Sequence, residues 1–371
     1  MRSGAQIVVA PGMDPAAVNK MFAVPEAFVS MCKIVREDET TGFLNPTKAQ
    51  VRTIRAIEAN KWTFVTKYRQ AKITTITLMH LLLRDCMYLQ GIAGMLIADT
   101  NATAEMAFKR LRFAYESLPK PGRMPLAAGS KGSKKELEFV HGGNIVIKSL
   151  EGRAPAVGHS IDRLHITELG EALHQQKAII NLFPGINKRP NAKLVIESTP
   201  GRAGSFHERM WHEALRREGQ FFPLFLEWWD DDTCCIPAPK GFAPTEEELD
   251  YLGKHPGMTL DNLFFMRTRL RSEFVGDTRL FSAKYPSDPY DGWIGSQRPM
   301  MPEDVLRRLL DVATEDPQEG SYGCGEFELP RPGVKYEIYA DPTGFGSIGD
   351  PAALTVFEPQ RGRRVVGPRG A

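Results

Sequence analysis

The chain has 371 residues, 42% of them hydrophobic, enough for one large core with appendages or for two domains. Its formal net charge is +2, so bulk charge demands no nucleic-acid partner, and any DNA contact has to come from local patches such as 109–112 or 361–364. Five cysteines (Cys32, Cys86, Cys234, Cys235, Cys324) are scattered without CxxC spacing, which argues against a zinc site or a disulfide framework. The first residues lack a secretory pattern and no apolar run reaches membrane-spanning length, so a soluble protein of a reducing cytoplasm is expected, with no membrane partner.

In chain order, residues 1–45 read as mixed, with a helix expected from Pro25 to Arg36 and a loop over 37–45. From Pro46 a helix carries Gln50 and Ile54 to Ala59. Trp62-Thr-Phe-Val-Thr66 reads as a buried strand, followed by a basic turn and an apolar helix running to about Gln90. Residues 94–98 are a short apolar run, ending in Asp99-Thr100-Asn101, a cap for a helix over 103–118. Residues 137–140, a turn at 141–144 and residues 145–150 give a hairpin signal. Arg163-Leu-His-Ile166 and Lys193-Leu-Val-Ile196 are two further buried-strand candidates. Strands alternating with helices imply a mostly parallel sheet covered on both faces. Charged helical sequence follows over 245–270, and a fresh strand over 336–340 ends in Asp341-Pro342.

The segment Lys67-Tyr-Arg-Gln-Ala-Lys-Ile-Thr-Thr75 has the layout of a phosphate-binding loop: strand, basic turn, paired hydroxyls, helix. Backbone N–H groups at such a turn attract phosphate oxygens, a cation neutralises them, and a Ser/Thr hydroxyl holds Mg²⁺. Lys67, Arg69 and Thr74 or Thr75 are the candidates. Strand 164–166 ends in Thr167-Glu168, where a strand tip would present a carboxylate to the site. Strand 194–196 ends in Glu197-Ser-Thr199-Pro-Gly201, a polar tip suited to relaying phosphate state. Taken singly, Glu168 is an ordinary loop carboxylate, His165 a core histidine, Ser198-Thr199 a capping turn and Lys72 a solvated cation. Their order along the chain is what carries the reading.

These residues resemble the large terminase subunit of tailed double-stranded DNA phages. Lys67-x-Arg69-Gln70-x-x-x-Thr74-Thr75 is similar to that family's variant phosphate loop (Walker A), in which a Lys precedes Arg-Gln. Leu164-His-x-Thr167-Glu168 resembles its Walker B segment, and Glu197-Ser-Thr-Pro200 with Gly204 and Phe206 its coupling motif. Asn45-Pro46-x-x-x-Gln50 resembles its upstream adenine-reading segment. Thr245-Glu-Glu-Glu248, a helix with Arg267, and Lys284-Tyr-Pro286 resemble its linker region. The resemblance implies an α/β fold, an ASCE-type P-loop ATPase with a mostly parallel sheet flanked by helices. It also implies a small linker subdomain and an incomplete RNase H-like nuclease stub. Expected boundaries are 1–45 for an N-terminal helical segment, 46–225 for the ATPase domain, 226–335 for a linker or lid, and 336–371 for the nuclease start.

By the same resemblance the protein is a Mg²⁺-dependent, ATP-driven motor that moves viral double-stranded DNA into a procapsid, in the host cell cytoplasm. Glu168 is the implied catalytic carboxylate. Lys67, Arg69, Gln70 and Lys72 hold phosphates, with the choice between Lys67 and Lys72 for the γ-phosphate left open. Thr74, Thr75 and Thr167 serve the metal, Gln50 reads adenine, and Ser198-Thr199 couple hydrolysis to movement. The implied partners are DNA, a small terminase subunit, the portal protein and further copies in a homo-oligomeric ring.

The chain departs from the family in three places. Lys72 stands where the phosphate loop normally has Gly, and Val157-Gly158 where the family often carries Arg-Gly, leaving Arg153 as the candidate arginine finger. Asp341 is the expected first metal ligand of the nuclease site, but the further acids are absent, so nuclease activity is not expected and 336–371 is expected to be poorly ordered or non-native, as in a fragment or disrupted frame. The alternatives are a degenerate terminase remnant without ATP turnover and a helicase-like nucleic-acid ATPase.

Overall fold

A computed structural model describes residues 6–36, 38–130, 132–151, 160–171, 176–187 and 191–293, and five strands between 318 and 368. Two compact units are distinguished, Met1–Ser296 and Gln297–Ala371.

The first unit opens with helices Pro15–Ala23 and Pro25–Met31. Asp14 caps the first of these by accepting from Ala16 N, and Pro15 supplies the preset φ of a first helical residue. The helix expected to reach Arg36 stops at Met31. Instead β1 (Lys33–Val35) pairs antiparallel with β2 (Thr41–Phe43), within the stretch expected to be a loop. Ile34 and Val35 are β-branched and fit a strand better than a helix end. Helix Lys48–Ala59 starts from a capping box between Thr47 and Gln50.

The central sheet contains β3 (Trp62–Thr66), β4 (Ala93–Ala98), β5 (Glu136–Glu138), β6 (Asn144–Ser149), β7 (Arg163–Thr167), β8 (Lys193–Ser198) and β9 (Phe221–Phe225). Their order is β5-β6-β4-β7-β8-β3-β9, parallel except for the β5–β6 hairpin. The four strands in the middle are covered on both faces, which is why they read as continuous apolar runs. Alternation sorts their side chains: Trp62, Phe64, Met95, Ile97, Leu164, Ile166, Leu194 and Ile196 face one core, with Trp211. Val65, Leu96 and Val195 face the other, beneath the long helical segment after β3.

That segment is buried except at Thr74, which is partly exposed: Ile73–Thr77 is α-helical, Leu78–Arg84 has π-helical pairing, and Asp85–Tyr88 returns to α. Its charged residues are paired, Arg163 Nε meeting Asp85 Oδ2 at 2.6 Å while Arg84 reaches Asp85 and Glu58, each at 3.1 Å. Helix Asn101–Ser117 is capped by Thr100, and β5 and β6 form the expected hairpin.

Beyond β9, Leu226 N bonds to Thr66 O at 3.0 Å, so the chain leaves along the tip of β3. The expected helical stretch over 245–270 is two helices, Glu246–Lys254 and Leu260–Ser272, separated by Gly257 at φ +95°. With helix Thr278–Lys284 they pack an aromatic cluster of Trp228, Phe265, Phe274, Phe281 and Tyr285.

In the second unit, β10 (Gln318–Glu319), β11 (Cys324–Glu326), β12 (Glu337–Asp341), β13 (Ala353–Glu358) and β14 (Arg363–Pro368) form an antiparallel sheet in the order β10-β11-β14-β13-β12. Residues 336–371 contribute β12, β13 and β14, and β11 pairs with β14 from upstream.

Candidate active site at the tips of β3, β7 and β8

Three adjacent parallel strands bring their carboxyl ends together, with β8 lying between β3 and β7. Register sets the contacts. Glu197 lies opposite Thr167 on one side and Val65 on the other, and Ser198 lies opposite Thr66. The face that carries Val65 and Val195 in the core continues outward as Lys67 and Glu197.

Lys67 enters the site with a side chain only 5% exposed. Its Nζ donates to Glu168 Oε1 at 2.6 Å and lies 3.1 Å from Glu197 Oε2. Burial works against the ammonium charge, but the Glu197 and Glu168 carboxylates outweigh it and raise the pKa above the ordinary lysine value. Glu168 is 28% exposed and its pKa is raised, because burial and the Glu197 charge together exceed the opposing pull of Lys67. Glu197 is fully buried. Burial alone would raise its pKa; the Lys67 ammonium, helped by His165 and Thr167, reverses that and holds it at about 2.

Glu197 is the hub of the site. Its Oε1 accepts from Thr74 Oγ1 at 2.6 Å and from Thr167 Oγ1. His165 Nε2 stands 3.4 Å from the same oxygen, without hydrogen-bond alignment. Thr74 and Thr167 hydroxyls are 3.1 Å apart. A hydroxyl that gives its proton to a carboxylate turns its lone pairs outward, so the hard oxygens of Thr74 and Glu197 suit Mg²⁺.

The loop itself runs through two left-handed residues, Gln70 at φ 66° and Lys72 at φ 56°, just before helix Ile73–Thr77. This is backbone that glycine adopts without cost, and at Lys72 it falls where the family has Gly. Arg69, Gln70 and Lys72 are exposed at this turn, while Thr75 is buried. Gln50 is buried too; its Oε1 accepts from Thr47 N and its Nε2 donates to Ala71 O at 3.0 Å. Its amide therefore ties the start of helix Lys48–Ala59 to the phosphate loop.

Ser198 joins both sides of the cleft. Its carbonyl accepts from Lys67 N at 3.0 Å and its Oγ accepts from Gly170 N at 2.9 Å, while Glu168 N donates to Glu197 O at 2.9 Å. Glu168 is itself left-handed, at φ 53°. The turns that follow β7 and β8 approach closely: a Cβ on Gly170 would lie 2.9 Å from Ser198 Oγ and from Thr199 O, and one on Gly201 would meet Gly170 O at 2.8 Å. Thr199, buried beside them, lies in that contact.

Arg153, Val157 and Gly158 lie outside the described residues. Asp341 ends β12, paired with Ala353; residues 342–352 lie outside the described residues. In the sequence Glu197 belongs to the coupling segment, with no role of its own, and Asp99 belongs to a helix cap. Asp99 follows β4 at the same end of the sheet, and its charge adds to the raised pKa of Glu168. The available signal was positional, since both acids directly end or follow apolar strands.

A mostly parallel sheet with helices on both faces, a loop leading from β3 into a Thr-bearing helix, and a carboxylate two strands away define the α/β fold of P-loop ATPases. No protein family matches the chain in sequence, and neither does any curated protein. Among solved structures the fold is that of phage large terminases: the HK97 bacteriophage large terminase matches with a TM-score of 0.53 at 16% identity, over 92% of this chain and 66% of that one. A large terminase from a thermophilic bacteriophage matches with a TM-score of 0.45 at 10% identity, over 85% of this chain and 65% of that one. The chain thus spans about two thirds of the length of either.

Proposed function

We propose that the first unit hydrolyses ATP and that hydrolysis drives movement of double-stranded viral DNA, as the motor subunit of a packaging machine. The observation that supports this most is the Lys67 ammonium held between Glu168 and Glu197, whose other oxygen accepts from the Thr74 hydroxyl. An ammonium, a partly exposed carboxylate of raised pKa and a loop hydroxyl are the parts that phosphoryl transfer to water requires.

The nucleotide phosphates take the turn at 69–75, with Arg69, Gln70 and Lys72 at its exposed rim. A phosphate oxygen replaces Glu168 Oε1 as the partner of Lys67. Glu168, relieved of that contact, accepts a hydrogen bond from a water and takes its proton as the water attacks the γ-phosphorus in line, while the bond from the γ-phosphorus to the β-bridging oxygen breaks and ADP leaves with that electron pair. Its raised pKa makes it a stronger base than an ordinary surface carboxylate. Mg²⁺, bound with the nucleotide through Thr74, Thr75 and Thr167, would neutralise phosphate charge and polarise the phosphoryl oxygens. Ser198, bonded to the backbone on both sides, passes the change at the phosphate loop to the turn after β7.

The partners of this reading are duplex DNA, a small terminase subunit, a portal and further copies of the chain in a ring. No reaction is proposed for the second unit, in which the resemblance places one metal-ligating acid, Asp341. The test is ATP hydrolysis by the purified chain with Mg²⁺ and linear duplex DNA, beside a Glu168→Gln control. Turnover abolished by that substitution supports the motor reading; turnover that survives it removes Glu168 from the mechanism.

A further inference from the structure

In P-loop ATPases two protein groups hold the nucleotide's cation: the Ser/Thr of the loop, and an Asp at the end of a neighbouring strand. In this chain the strand residue just before Glu168 is Thr167, which carries no charge. A hydroxyl is a poor substitute, since Mg²⁺ sites of this kind rely on one or two carboxylates besides the phosphates. The next strand supplies one. Glu197 lies opposite Thr167 in the parallel register of β7 and β8, is fully buried, and aims Oε1 at both threonine hydroxyls, with Thr74 at 2.6 Å.

We infer that Glu197 takes the place of the missing strand-end aspartate and is the carboxylate that orients Thr74 and the hydration shell of the nucleotide-bound Mg²⁺. The inference rests on the ATPase reading and deepens it. Charge balance points the same way. Among the described residues Glu168 and Glu197 share one lysine, Lys67, and Asp99 adds a third carboxylate whose charge reaches Glu168, with its Oδ1 buried and without a hydrogen-bond partner there. The surplus negative charge at a nearly closed cleft is what a divalent cation offsets. The two oxygens of Glu197 divide the work: Oε2 faces Lys67, and Oε1 faces the hydroxyls. Glu197 is a positioning residue here, acting on the cation through Thr74 and its shell.

The experiment is a titration of a fluorescent ATP analogue into the full chain, with and without Mg²⁺. The variants are Glu197→Gln, Glu197→Gln with Thr167→Asp, and Glu168→Gln. The wild type and Glu168→Gln should both gain affinity from Mg²⁺. Glu197→Gln should lose about 10–100-fold of that gain, the usual effect of removing a residue that orients a metal's ligands. Its affinity for the Mg²⁺-free nucleotide should hold or rise, because Lys67 loses a carboxylate that competes with phosphate, so the loss is confined to the Mg²⁺ effect. Adding Thr167→Asp should restore the Mg²⁺ effect, which a purely structural role for Glu197 does not predict. If Glu197→Gln fails to fold by circular dichroism, Glu197→Asp keeps a charge for Lys67 while drawing the carboxylate back by one methylene, and should show the same split. A folded Glu197 variant with the full Mg²⁺ effect overturns the inference and leaves the ATPase reading standing. A wild type that binds no nucleotide under either condition overturns both.

Discussion

The amide of Arg69, in the middle of the phosphate loop, donates to the carbonyl of Lys284 at 2.7 Å. The loop is therefore braced by the far end of the first unit, where Tyr285 stacks on Phe281 with ring centroids 5.0 Å apart and meets Trp228, Phe265 and Phe274 edge-on. Truncating a buried aromatic costs about 3–5 kcal/mol. Tyr285→Ala should show that loss in urea unfolding and should also weaken ATP-analogue binding, although Tyr285 is outside the cleft. Lost stability with unchanged affinity would mean that the loop keeps its shape unaided.

Glu168→Gln separates binding from chemistry. Removing a positioned general base lowers turnover by about 10²–10⁴-fold. Nucleotide affinity should hold or rise, because the substitution removes the ion pair that a phosphate has to displace from Lys67. Phosphate release and equilibrium titration read the two effects independently. A large fall in affinity would show that the Lys67–Glu168 contact assists binding.

Lys67→Met strips Glu197 of its counter-charge. Leaving one partner of a buried pair uncompensated costs about 3–5 kcal/mol, measurable by denaturant unfolding at neutral pH. The pH dependence fixes the cause. In the wild type Glu197 titrates at about 2, below the ordinary glutamate value of 4.5, so its pairing stabilises the fold above pH 4.5 and is lost as pH falls toward 2. With Lys67 gone, the leading cause of that depression is removed, and that part of the acid sensitivity should shrink. An unchanged acid limb would assign it to other groups.

Two buried histidines shape stability at higher pH. Burial depresses His80 to about 4 and His207 to about 3, below the ordinary 6.5. Each therefore stabilises the fold above pH 6.5 and loses that contribution as pH falls through its folded value, because the unfolded chain takes up the proton first. The slope is about 1.4 kcal/mol per pH unit for each. His207 is stacked on Phe64 at 5.5 Å and edge-on to Trp293 at 4.9 Å, so it packs as a neutral ring. His207→Phe should flatten the stability–pH curve between pH 6 and 4 by about one proton's slope. An unchanged slope would contradict a neutral His207.

What the sequence made legible was the frame. β3, β4, β7 and β8 are apolar because both their faces are covered, and the hydroxyls and acids at their tips come in the order that the fold brings together. β9 was hidden by Pro223, which lowers a strand signal and is tolerated here because β9 is the sheet edge. β1 and β2 are three residues each, too short for periodicity to register. The Asp14-Pro15 helix start was readable and passed over. Glu197 was legible only as an acid at the tip of an apolar strand. Its part in the site depends on its register partner, Thr167, and only long-range pairing supplies that.

Neighbouring strands in a sheet are spaced about 4.8 Å apart, so with β8 between them β3 and β7 stand roughly 10 Å apart at their tips. That gauge is set by backbone ladders, which neither the phosphate loop nor the turn after β7 can alter alone. In the proposed cycle the travelling part is accordingly the four-carbon arm of Lys67, pivoting between fixed posts. Shortening that arm by one methylene, or shifting the pitch of β8 by one residue, would leave every chemical group in place and yet out of reach.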